Sequence, residues 1–130
     1  MINLHPTTCN LCGGKVEYVS NAVIYGKKYG SGKCYRCTSC NAYVGTHVPR
    51  PTEAFGILAD EKMRSRKVDC HKIFDTMWKN RNERSKMYQW LASKLQIPVS
   101  ECHFGFFDMD MLNKAYIVLK NAKEEEAKIA

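Results

Sequence analysis

Between Val16 and Val44 the chain carries short apolar stretches of strand length, interrupted by glycine. Val16-Glu17-Tyr18-Val19 alternates, with Val16 and Tyr18 on one face and Glu17 and Val19 on the other. Asn21–Tyr25 follows as a second strand-like stretch, and Gly26, Gly30 and Gly32 mark loops. Lys33–Cys37 predicts a strand entering a turn at Cys37–Cys40, and Ala42–Val44 a further brief strand. Pro49-Arg50-Pro51 ends this β-type region, because proline lacks a backbone donor and biases the preceding residue towards extended backbone.

Beyond it the apolar period changes to three and four. Phe55, Leu58 and Ala59, then Val68, Ile73, Phe74, Met77 and Trp78, predict helical structure starting near the candidate N-cap Thr52, with a break at Gly56 and the polar stretch Asp60–Lys67. A clear helix is predicted from Asn82, as its N-cap, to Gln96, ended by Pro98, with Met87, Tyr88, Leu91, Ala92 and Leu95 on its apolar face. Asp108 is placed to cap a last helix through Met111, Leu112, Ala115, Tyr116 and Leu119. The expected fold is α+β: a ribbon of short antiparallel strands over residues 1–50, then three to four helices over 51–130, packed on the ribbon as one compact unit.

Charge changes this picture. The 130 residues carry a net +7, unevenly spread. Residues 1–50 and 60–95 each hold +5, whereas 96–130 hold −2. The two basic blocks are the candidate surfaces for an anionic partner. No run approaches the roughly 18 apolar residues of a membrane span, and no basic or apolar leader opens the chain, so neither a membrane partner nor a secretory signal is expected. Seven cysteines, an odd number, then favour reduced thiols over a disulfide framework.

Two cysteine pairs dominate the candidate chemistry. Cys9-Asn10-Leu11-Cys12-Gly13 and Cys37-Thr38-Ser39-Cys40-Asn41 have two residues between thiols, which lets both sulfurs of each pair turn onto one tetrahedral ion. Gly13, and less easily Asn41, suit the positive φ that closes such a turn. The 24 residues between the pairs can form a hairpin joining them. Cys9, Cys12, Cys37 and Cys40 are therefore expected to bind one structural zinc ion; four thiolates leave no position for water or substrate. Cys34 offers a competing pair with Cys37. It is disfavoured because Thr38 is β-branched and because Cys34 and Cys37 face opposite sides of a strand. His47, His71 and His103 form a weaker candidate cluster for a second ion, set against ordinary histidines bonded to backbone, Asp75 or Asp108.

These residues, with Ile24-Tyr25-Gly26, Val44-Gly45-x-His47, the basic Arg64 and Arg66, His71-x2-Phe74-Asp75-x2-Trp78, Tyr88-x-Trp90-Leu91-Ala92 and Cys102-His103-x-Gly105-x-Phe107-Asp108, form a pattern over nearly the whole chain. It resembles the zinc-finger-containing domain family of unknown function found in bacteriophages, prophages and some bacteria. The resemblance implies a ribbon followed by helices and a viral or mobile-element setting; with the reduced thiols, the expected location is the cytoplasm of a bacterial host cell. Position 10 is Asn where many ribbons place Pro, and Cys34 is extra to the pattern.

The leading functional expectation is a non-catalytic module binding DNA or RNA. Lys27, Lys28, Lys33, Arg36, Arg64, Arg66 and Lys67 would meet phosphates, and Tyr25, Tyr29 and Tyr35 would offer stacking faces. The alternative is a module that binds or inhibits a host protein, anchored by Trp78, Trp90 or Phe106. A metal-dependent nuclease using the histidines with Asp75 or Asp108 is a third reading, without a motif of mechanistic spacing to support it.

Overall fold

The computed structural model describes residues 2–129. They form an α+β fold with a three-stranded antiparallel sheet at the N-terminal end and helices after it. Two compact units divide it, Met1–Lys62 and Met63–Ala130.

In the first unit, β1 (Val16–Ser20), β2 (Lys33–Cys37) and β3 (Tyr43–Gly45) lie in the order β1-β2-β3. Val16 pairs with Cys37, Tyr18 with Tyr35, and Tyr35 with Val44, so these five share one face. Four of them, Val16, Tyr35, Cys37 and Val44, are buried with Cys9, Ala42, Ala54 and Leu58 in a small core, while Tyr18 at the margin stays exposed. The opposite face carries Glu17, Val19, Cys34, Arg36, Tyr43 and Gly45. Cys34 and Cys37 thus point to opposite sides, as the strand period requires.

Two stretches fold differently from expectation. Residues Ala22–Tyr25 make a single helical turn, α1, rather than a strand. Asn21 decides this: its buried side chain accepts from Tyr29 N (3.2 Å) and donates to Tyr29 O (2.8 Å), clamping both ends of the loop. The segment from Pro51 to Asp60 is not helical. Ala54 bridges to Thr46 and Ala59 to Tyr43, so this segment runs beside β3 and buries Ala54, Leu58 and Ala59. Phe55, expected inside, is 52% exposed and sits against His47, ring centres 4.5 Å apart. Three apolar residues at helical spacing are too few to overrule edge pairing and burial.

Helix α2 (Glu61–Phe74) runs unbroken through the polar stretch expected to divide it. Met63, Cys70 and Phe74 form its buried line, at spacings of seven and four. Val68, expected on the apolar face, is exposed. Helix α3 (Arg81–Leu95) starts one residue before the predicted cap; Asn80 is the N-cap, and its side chain accepts from Glu83 N at 2.9 Å. Gln96, at φ 58°, closes its C-terminus, and the prolyl residue Pro98 follows. Two single 3₁₀ turns, Val99–Glu101 and Phe104–Phe106, lead into α4 (Met109–Ile129), whose Met111 N is capped by Asp108 at 2.9 Å as expected. Leu91, Ala92 and Leu95 of α3 and Leu112, Ala115 and Leu119 of α4 are buried in the second unit, where the two helices pack together. Among the described residues no helix is long and apolar enough to cross a membrane.

Candidate metal centre

The first cysteine pair sits on a turn that precedes β1. Cys9 N donates to Gly14 O (2.8 Å) and Gly13 N to Cys9 O (2.9 Å), and Gly13 takes φ 78°, where an L side chain is disfavoured. The second pair closes the β2–β3 connection, with Cys37 N bonded to Ala42 O at 3.0 Å. Thr38 N and its hydroxyl both donate to Lys15 O, at 2.9 and 2.8 Å, which ties the two turns together. Asn41 does not adopt positive φ; among the described non-glycine residues Gln96 does so alone. The second turn therefore closes without the left-handed residue expected there. The discrimination against Cys34 rests on strand direction, not on Thr38.

These turns bring Cys9, Cys12, Cys37 and Cys40 together, with all four sulfurs within 4.8 Å of one another. Cys9 Sγ lies 3.7 Å from Cys40 Sγ, and Cys12 Sγ 3.4 Å from Cys37 Sγ. Zinc–sulfur bonds of about 2.3 Å in a tetrahedron demand sulfur separations of about 3.8 Å, so the cage has the size of a zinc ion. Backbone N–H groups converge on the sulfurs: Leu11 N on Cys9 (3.4 Å), Gly14 N on Cys12 (3.4 Å), and Ser39 N and Cys40 N on Cys37 (3.3 and 3.4 Å). Such donors stabilise thiolate over thiol. The Ser39 N–H leads in lowering Cys37 to about 7. At Cys40 the Ala42 N–H acts in the same direction, but burial and the neighbouring thiols of Cys37, Cys12 and Cys9 outweigh it and push the group up to about 12. A divalent cation bound among these sulfurs would take the place of the thiol protons, because thiolates rather than thiols ligate it. The donor set and spacing fit one structural zinc ion.

Two further residues shape the cage. A Cβ added to Gly14 would lie 2.7 Å from Ser39 Oγ and 3.1 Å from Cys37 Sγ, so only glycine lets the turns approach. Asn10, the departure from proline, donates from Nδ2 to Leu58 O and accepts at Oδ1 from Leu58 N, both at 2.9 Å. Its amide copies a backbone pair and fastens the metal turn to the extended segment after β3. Neither role was predicted from sequence; both depend on which backbone arrives opposite.

The remaining candidates disperse. Cys34 is buried away from the tetrad on the other sheet face, and burial raises its thiol pKa. Among the described residues the tetrad is the one group of three or more His, Cys, Asp or Glu placed to hold a metal. His47 lies in the first unit against Phe55; His71 and His103 lie in the second, against Phe104 and near Tyr88. His5, outside any motif, bonds through Nδ1 to Thr52 O at 2.8 Å.

The basic residues are partly engaged. Lys27 Nζ lies 5.2 Å from the Tyr29 ring centre and Lys33 Nζ 5.4 Å from that of Tyr18. The alkyl stem of Lys28 packs beside Gly32. Arg36 pairs with Glu17 at 2.9 Å, and Arg66 with Asp69 at 3.6 Å and with the Tyr116 ring at 4.3 Å. Lys67 is largely buried with Nζ 3.4 Å from Gly105 O. Arg64 lies next to it, and its charge helps to lower the Lys67 pKa.

No curated protein and no solved structure matches the chain. A family model does: the zinc-finger-containing domain matches residues 5–122, which include all four cage cysteines. The chain therefore belongs to this zinc-finger-containing domain family.

Proposed function

We propose that the zinc-bound first unit is a non-catalytic platform for single-stranded nucleic acid. The observation that carries this reading is a tyrosine cluster on the α1 side of the sheet. Tyr25 of α1 stands edge-on to Tyr29 (centres 5.5 Å) and to Tyr43 of β3 (6.1 Å), and Tyr25 and Tyr29 are each 51% exposed. Lys27 and Lys28 lie in the loop between them. The Asn21 clamp holds Tyr29 in place before any ligand arrives. Exposed rings with adjacent ammonium groups supply stacking and phosphate contact together, without reading base identity. The four-thiolate cage has no open coordination position, so its ion holds the scaffold rather than reacting.

Val23, 53% exposed on the same helical turn, gives a specific reason to keep a second reading, in which this surface binds a host protein. A phage or prophage setting belongs to the same proposal. Titration of short single-stranded DNA and RNA at several salt concentrations tests it. Affinity should fall with salt, and Lys27→Ala with Lys28→Ala should lower the logarithmic slope by about 1.4, for two phosphate contacts. Tyr29→Ala should weaken binding about tenfold or more, for one stacked base. Absence of binding at low salt removes the proposal. Capture of a host protein after nuclease treatment, lost in Val23→Asp, would favour the second reading.

A further inference from the structure

Helices α2 and α3 and the turn at 104–106 gather cationic side chains over an aromatic floor in the second unit. Lys67 and His71 are one helical turn apart on α2, as are Arg84 and Tyr88 on α3, so each pair shares a face. Phe104 and Phe74 are buried beneath them. The Phe104 ring centre lies 4.8 Å from His71, 5.5 Å from Phe74 and 6.4 Å from Tyr88. His103 approaches from the turn, 6.3 Å from Tyr88 and 6.5 Å from Phe106. The Arg84 guanidinium lies 5.0 Å from the Tyr88 ring centre and 5.5 Å from that of Trp78, with Nη2 donating to Tyr88 Oη at 3.3 Å. His71, His103 and Arg84 are all exposed.

The electrostatics are one-sided. Lys67, Arg84 and Asp75 all act on His71, so that one carboxylate faces a guanidinium, an ammonium and an imidazole. Arg84, Asp75 and Cys102 act on Tyr88. His71 keeps an exposed edge, but desolvation of the covered part of its ring is the chief cause that holds it below its ordinary pKa, with Arg84 and Lys67 adding to the effect and Asp75 opposing it. An anion arriving here would relieve cation crowding that the fold leaves only partly compensated.

We propose that this cluster binds a phosphate monoester, held by Arg84, His71 and His103 around Tyr88. The donors come from three separate elements: a guanidinium fork, two imidazoles and a phenol. A monoester presents three terminal oxygens in different directions and can meet all of them; a carboxylate presents two in one plane. The half-buried rings of Tyr88 and Phe106 leave a flat, partly apolar wall beside the charge, suited to a ligand that carries a ring. The same chemistry belongs to a free mononucleotide and to the phosphorylated end of a strand. All of its residues lie in the second unit, whereas those of the tyrosine platform lie in the first.

The test is a calorimetric and NMR titration of the full zinc-loaded chain. Adenosine monophosphate is compared with adenosine, and a 5′-phosphorylated dinucleotide with its unphosphorylated form. In at least one pair the phosphorylated member should bind about tenfold tighter or better, the scale of a charge-assisted hydrogen bond, and should shift the imidazole resonances of His71 and His103. Discrimination in the dinucleotide pair alone identifies a strand end; discrimination in both identifies the monoester itself. Arg84→Gln and His71→Asn should each cut the preference severalfold, with Arg84→Lys between them and the parent. Tyr29→Ala should leave it unchanged. Equal binding within both pairs overturns the proposal, as does full preference retained in the Arg84→Gln, His71→Asn double variant.

Discussion

At the scale of single residues, what separates Cys40 from Cys34 is direction. Both are three residues from Cys37, but Cys34 reaches it along a strand and Cys40 around a turn. An odd separation along a strand sends side chains to opposite faces. Cys40→Ser should therefore lower bound zinc per chain, whereas Cys34→Ser should leave it at one; elemental analysis of the purified variants decides, and equal loss from both contradicts the assignment. Asn10 supports the cage by a different route. Asn10→Ala removes two hydrogen bonds to Leu58 and leaves a backbone N–H and C=O short of partners, at a cost of about 1–3 kcal/mol, measurable by denaturant unfolding of the zinc-loaded protein.

Lys67 carries the pH dependence at this scale. Burial, with Arg64 adding to it, lowers its pKa from 10.5 to about 8. The folded value lies below the unfolded one, so the unfolded chain binds more protons between those two values and folding gains stability as pH rises across that window. Cys70 and Cys102, pushed up to about 11 by burial, act with the opposite sign above their ordinary value of 9. Comparing Lys67→Met with the parent cancels the thiols. The stability difference should move in favour of the parent as pH rises from 8 to 10.5, and a flat difference would show that Lys67 keeps its ordinary pKa.

At the scale of elements, α3 is delimited by side-chain chemistry at both ends. Asn80 caps Glu83 N, and Glu83 Oε2 accepts from Lys79 N at 3.0 Å, a reciprocal arrangement close to a capping box. Asn80→Ala should destabilise the second unit by about 1 kcal/mol. At the other end Gln96 occupies left-handed backbone, so Gln96→Gly should stabilise by up to about 1 kcal/mol. Thermal melts of both variants, with opposite shifts, check the pair. The same element shows where periodicity succeeds. Leu91, Ala92 and Leu95 were legible as buried because fifteen helical residues repeat the pattern several times. Phe55, Leu58 and Ala59 repeated it once, and backbone pairing with β3 overrode it.

At the scale of the whole molecule, the two units depend on different forces. Among the described residues the core of the first is a small cluster that includes the cage ligands Cys9 and Cys37, so its folding is expected to depend on metal binding. The second buries Phe74, Leu91, Leu112 and Leu119, and among the described residues the group placed to hold a metal lies entirely in the first unit. Chelation should therefore remove hydrogen-exchange protection from β1, β2 and β3, while amides in α3 and α4 stay protected. Simultaneous loss in both units would show that the ion supports the entire chain.

The sequence by itself determined the tetrad, the α+β order and the two long C-terminal helices. Each of these is written locally: two-residue spacing between thiols, a switch of apolar period, a capping Asp108 before a periodic run. Tertiary structure decided the rest. It turned Asn21–Tyr25 into a helical turn and paired the segment after Pro51 with β3 instead of coiling it. It gave Asn10 its partner and Gly14 its reason. It also gathered Lys67, His71, Arg84 and His103 around one aromatic floor while leaving His47 in the other unit. These outcomes depend on which backbone or ring arrives opposite a residue from far along the chain, and no local spacing encodes that.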